Sequence, residues 1–216
     1  MTRTGLRLWV CALCAWTLCF VVLQRLGTWI PFAFVGVMLV GVALSRSVVP
    51  RALLRPSLAL TTVGLAGGAL MVLGTHLAYR ALVAFAPPVA GATRQLLNLL
   101  NVAGFSPEVR ALLIVLIASC EELIFRGLLP TSGTVSKSVP HLPSRRELTH
   151  IVAFAGVYAF TTLPLGSPLL VLCALACGSL WGFMRVATGS LVAPVLAHVV
   201  WDLGVLIVWP IAAQLS

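Results

Sequence analysis

The chain has 216 residues, 60% of them hydrophobic and 9% charged, with a mean hydropathy of +1.09. Soluble domains carry roughly 25% charged residues, and 14 basic plus 5 acidic side chains cannot cover a water-exposed surface of this size. The composition therefore describes a polytopic, all-α membrane helix bundle and excludes a soluble enzyme, a nucleic-acid binder and a disordered tail. The net charge of +9 is read as orienting apolar spans and meeting anionic lipid headgroups. One lysine, Lys137, against thirteen arginines is the bias of a GC-rich bacterial genome, which points to a bacterial inner membrane.

A span needs about 20 apolar residues. Seven candidate segments follow in chain order, the second and fifth of them short. The first, Leu8–Leu23, follows Arg3 and Arg7 and reads as an uncleaved anchor. Trp29–Leu44 is the second. Ser57–Tyr79 is the third, with Gly64 and Gly68 at the small-xxx-small spacing that lets helices approach closely. The fourth opens on Ser106-Pro107-Glu108, a cap, a helix-starting proline and a first-turn acid, and runs to about Leu129. The fifth covers about His150–Leu163. The sixth runs from Ser167-Pro168, the same start signal, to about Val186, and the seventh from after Ser190 to about Ala213. Between the third and fourth, Ala86–Arg110 mixes leucines with Gln95, Asn98 and Asn101 and predicts an interfacial or re-entrant helix. The polar stretch Thr131–Thr149 is the one extended hydrophilic loop. No repeat or second domain is evident, so residues 1–216 read as a single membrane domain.

With the N-terminus inside, nine basic residues fall on the cytoplasmic side (Arg3, Arg7, Arg46, Arg51, Arg55, Lys137, Arg145, Arg146 and Arg185). Four fall on the other (Arg25, Arg80, Arg94 and Arg110). The positive-inside rule then predicts a cytoplasmic N-terminus. The six cysteines all lie in apolar stretches without a zinc-ribbon or thioredoxin context and read as small buried hydrophobes.

Three of the five acids lie inside apolar runs, where an ionisable group is expensive and marks function. In the fourth span, Glu122 and Arg126 are i,i+4 with the acid N-terminal, the better order for a pair. Glu121 points about 100° away and has no local cation. The division that follows makes Glu122–Arg126 structural and Glu121 chemical. In the seventh span His198 and Asp202 are also i,i+4, so the acid can orient the ring toward a metal or an oxyanion. Glu121 and His198 each lie eight residues from the same membrane face, about 12 Å deep. Tyr158 of the fifth span reaches that level too. The reading is one intramembrane site, walled by the fourth, fifth and seventh spans and open to the cytoplasm.

Cys-Glu-Glu-Leu-Ile-Phe-Arg-Gly-Leu-Leu (120–129) resembles the E-E-x-x-x-R motif of the CPBP family of intramembrane proteases (type II CAAX prenyl endopeptidases and bacteriocin-processing or self-immunity proteins). Residues 188–198, ending at His198, with Asp202 beyond, resemble its last motif, H-x-x-x-N/D. The resemblance covers about residues 107–210, the protease-like core. It implies peptide-bond hydrolysis of a membrane-associated protein or peptide, by metallo- or glutamic-type chemistry. Glu121 would activate water, Glu122 and Arg126 would support it, and His198 with Asp202 would bind metal or the oxyanion. A zinc-like divalent ion would rest on Glu121 and His198. The middle motif, F-x-x-x-H, is altered: Phe154 is present, but Tyr158 stands where the histidine is expected. His150 is two turns away, His76 is near the opposite membrane face, and His141 is in the loop. The alternatives are a non-catalytic adaptor or immunity-type member and, less favoured, a small transporter subunit. No nucleic-acid partner is expected.

Overall fold

The computed structural model describes residues 2–100, 105–130 and 142–211. Eight α-helices are found there and no strand: α1 Arg3–Leu26, α2 Ile30–Ser45, α3 Leu58–Phe85, α4 Pro88–Leu100, α5 Pro107–Glu121, α6 Arg145–Phe160, α7 Pro168–Thr188 and α8 Val192–Leu203. The seven expected spans correspond to α1–α3 and α5–α8, and the expected interfacial segment to α4. Three helices, α1, α3 and α7, are long and apolar enough to cross a membrane, and α2 and the α8 segment are shorter apolar helices. The apolar side chains on the outside of this bundle, such as Leu58, Leu70 and Phe85, suit lipid and not water. Lys137 and His141 lie outside the described residues.

Helix starts follow local chemistry. Ser106 and Ser167 accept hydrogen bonds from Val109 N and Leu170 N, each ahead of a proline, satisfying amide groups that the helix cannot pair itself. α6 begins five residues earlier than the sequence suggests. Ser144 and Glu147 form a reciprocal capping box there. Gly27 and Gly189 end α1 and α7 in the left-handed conformation at φ 59° and 63°, which glycine adopts without a Cβ penalty.

Two departures from the expected spans concern the site. The fourth span is not one α-helix. α5 ends at Glu121 and continues as a π-turn over Glu122–Arg126, with Gly127 N bonded to Glu122 O at 3.1 Å. α8 likewise passes into a π-turn at Gly204–Val208 and so stops short of the expected Ala213, which itself lies outside the described residues. Such turns are concentrated at functional sites.

Packing sets the helix directions. α3 and α8 run parallel in close contact. A Cβ on Gly64 would lie 2.8 Å from Ala193 O, and one on Gly68 2.8 Å from Ala197 O. Small residues are required where backbones approach this closely. α6 and α7 run antiparallel, with Ala155 beside Gly178 and Ile151 beside Gly182. Trp16, Phe20, Phe32 and Phe125 join α1, α2 and the π-turn through edge-on aromatic contacts. The helix ends consequently sort into two groups. The start of α1, the α2–α3 connection, the end of the α5 π-turn, the start of α6 and the α7–α8 connection share one end of the bundle. The α1–α2 connection, α4, the start of α5 and the α6–α7 connection share the other.

The cysteines are all free. Cys19 and Cys120 are buried, but Cys11 and Cys14 are exposed on the outside of α1. For these two, burial is corrected: the helix face that carries them has no neighbour among the described residues.

Candidate active site

α5 with its π-turn, α6 and α8 bring all six sequence-nominated side chains into one cluster. Behind the cluster sits Glu122, 0% exposed. Its Oε1 lies 3.1 Å from Arg126 Nη1 and 2.9 Å from His198 Nδ1. The pair expected to be purely structural therefore also holds the imidazole. The other ring nitrogen, Nε2, lies 3.4 Å from Asp202 Oδ2. The i,i+4 relations at 122/126 and 198/202 both close in space.

Glu121, one residue from Glu122, faces a different environment. It lines a cavity of about 750 Å³ together with Tyr158, Trp181, His198 and Asp202. The Tyr158 hydroxyl donates to Glu121 Oε1. The residue standing at the expected histidine position therefore contacts the acid directly, by a hydrogen bond. His150 is elsewhere on α6. His76 is buried at the other end of α3, where Nε2 is 3.0 Å from Trp209 O and the ring stacks on Trp209.

Three residues that carry the site were not singled out from the sequence. Trp181 of α7 stacks on His198 with ring centroids 3.6 Å apart. The Arg126 guanidinium lies 5.1 Å from the Tyr158 ring and 5.3 Å from the Trp181 ring, so cation–π contact supports it on two sides. Gly178 leaves room for it, since a Cβ there would lie 2.8 Å from Arg126 Nη2. Gly127 serves the π-turn: a Cβ would collide with the Leu123 carbonyl oxygen and lie 2.9 Å from Val49. Gly127 and Gly178 could have been suspected from their positions, one beside Arg126 and one in an α7 run of small residues. Trp181 carried no such signal.

The cavity corrects one expectation. Its wall uses the second half of α3 (Leu70 to Leu82), the first half of α7 (Leu169 to Trp181) and α4, as well as α5, α6 and α8. Its lining extends from the site toward the end of the bundle opposite the chain's N-terminus, away from the end assigned to the cytoplasm. The reason lies in packing. Below the site, α3 and α8 are sealed by their glycine contacts and α6 and α7 by Gly182 on Ile151, whereas above it α4 spans the gap between α3 and α7.

The residues do not fit a zinc-like ion. A histidine ligand presents a nitrogen lone pair, and both His198 nitrogens face carboxylate oxygens. Among the described residues no group of three His, Cys, Asp or Glu side chains has metal-holding geometry. Tyr158, at the middle-motif position, adds a hydrogen-bond donor to Glu121 in place of a nitrogen ligand.

The cluster lies within residues 106–204, which match the family model of type II CAAX prenyl endopeptidase, Rce1-like. Over these residues the chain is similar to the Rce1-like family, which supports a CPBP-type member. The match takes in Glu121, Glu122, Arg126, Tyr158, His198 and Asp202 and leaves α1–α4 outside. No curated protein and no solved structure matches the chain. The similarity supports a CAAX-type intramembrane protease at family level and, with the apolar helices, an integral membrane protein.

Proposed function

We propose that the chain is an intramembrane endopeptidase in which Glu121 is the base and His198 the oxyanion group, acting on a membrane-associated protein or peptide. The observation that carries the reading is the split between adjacent carboxylates. Glu122 is consumed by Arg126 and His198, while Glu121 lies on the cavity wall.

The imidazole is held between two carboxylates, Nδ1 toward Glu122 and Nε2 toward Asp202, and in this reading Nε2 carries a hydrogen to donate. Asp202 lines the cavity and Glu122 does not, so Nε2 is the nitrogen on the substrate side. In the proposed reaction Glu121 takes a proton from water as its oxygen attacks the scissile carbonyl carbon. The Nε2–H stabilises the oxyanion that forms. Glu121 then returns the proton to the leaving nitrogen as the C–N bond breaks. The Tyr158 hydroxyl holds one carboxylate oxygen and leaves the other for water.

The test compares newly formed protein termini, by mass spectrometry of membranes, in cells carrying the wild-type chain or Glu121→Gln. A set of termini present with the wild type and lost with the variant is expected, at equal protein levels. Identical sets would defeat the reading. They would instead favour a non-catalytic adaptor, a second reading that rests on Tyr158 occupying the Glu121 carboxylate.

A further inference from the structure

Two independent features of the bundle lie on opposite ends. One is the cavity. From its floor at Glu121, Tyr158 and His198, every lining residue continues toward the end that holds the α1–α2 connection and α4. Trp29, Tyr79, Leu97 and Leu169 are examples. No lining residue belongs to the first turns of α1, α3 or α6, or to the last turn of α7.

The other feature is charge. Among the described residues the end away from the cavity carries Arg3, Arg7, Arg46, Arg51, Arg55, Arg145, Arg146 and Arg185, eight arginines. The cavity end carries four, Arg25, Arg80, Arg94 and Arg110. Arg126 is committed to Glu122 and counts for neither. Short loops rich in arginine stay in the cytoplasm, and acidic residues contribute little to that choice.

We infer that the cavity opens on the non-cytoplasmic face of the membrane and receives an apolar segment of an exported, membrane-tethered protein, not a cytoplasmic tail. This rests on the endopeptidase reading for what is done to the segment, but the direction of access does not depend on it. The chemistry of the occupant follows from the wall. Away from the floor it is mostly apolar, built from leucines, isoleucines, aromatic rings and small residues with three threonines, Thr75, Thr93 and Thr162, among them, so it gains by burying apolar chain and offers an unpaired polar backbone little outside the floor. α4 fits the same picture. It presents Leu96 and Thr93 inward and Arg94, Gln95 and Asn98 outward, as a helix lying at the rim between cavity and headgroups does.

Two measurements test this. In a background with the six cysteines changed to alanine, Gln95→Cys and Ser45→Cys mark the two ends, both at exposed positions. A membrane-impermeant maleimide applied to intact cells is expected to label Gln95→Cys, and to label Ser45→Cys only after permeabilisation. The reverse pattern overturns the inference. The second measurement needs no cysteine changes. Termini that disappear with Glu121→Gln are expected on the non-cytoplasmic flank of membrane anchors, and their mapping to cytoplasmic tails overturns it. If no termini disappear at all, the endopeptidase reading falls, and the labelling alone decides the direction in which the cavity faces.

Discussion

The half of the bundle below the site and the half above it are built from the same helices yet do opposite things. Below, Gly64 and Gly68 lie against the α8 backbone and Gly182 against Ile151 of α6, and Glu122 is paired with Arg126 and His198. Above, the helices diverge around a cavity of about 750 Å³. Glu121 and Glu122 are neighbours in sequence and sit on either side of this border. In the proposed mechanism, what separates a structural carboxylate from a chemical one is therefore the space each faces, since the two residues are chemically identical.

The comparison can be broken from either side. Glu121→Gln should lower cleavage by about 10²- to 10⁴-fold, the range for losing a general base, with unchanged thermal stability in detergent. His198→Asn should cost about 10²- to 10³-fold, as expected for one oxyanion donor, read in the same terminus assay. On the closed side, Arg126→Ala should destabilise by about 3–5 kcal/mol, because it strands a buried carboxylate. The variant should accumulate poorly, and denaturant titration should show the loss. Gly178→Ala forces the guanidinium off its seat and should cost about 1–3 kcal/mol without removing any chemical group. Tyr158→Phe gives the smallest effect. It removes one hydrogen bond, worth about 0.5–1.5 kcal/mol, so cleavage should change by roughly tenfold or less, and loss of all activity would contradict the holding role given to the hydroxyl.

Much of this was legible from local sequence because the governing interactions are local. Ser106, Ser167 and the prolines after them mark helix starts by satisfying their own backbone, and the 122/126 and 198/202 pairs follow from helical spacing alone. Equal depth from one membrane face brought Glu121, Tyr158 and His198 together correctly. What escaped reading depends on contacts between distant helices. The π-turn at Glu122–Arg126 is accommodated by Gly127 against Val49 of another segment, and Trp181 reaches His198 across an interface. The cavity's direction escaped for a related reason. Depth counted along each helix is measured from one face, and nothing in that count tells which end of the bundle is sealed.

The parallel pairing of α3 with α8 has a consequence for biogenesis. Parallel neighbours cannot be joined by a tight hairpin, and more than one hundred residues of chain separate these two helices. During synthesis α3 enters the bilayer with its glycine furrow lined by lipid, and the acid-bearing segment follows before any imidazole exists to meet it. Only when α8 packs into that furrow do Glu122 and His198 meet. In the proposed mechanism, an incompletely translated chain therefore lacks its oxyanion group.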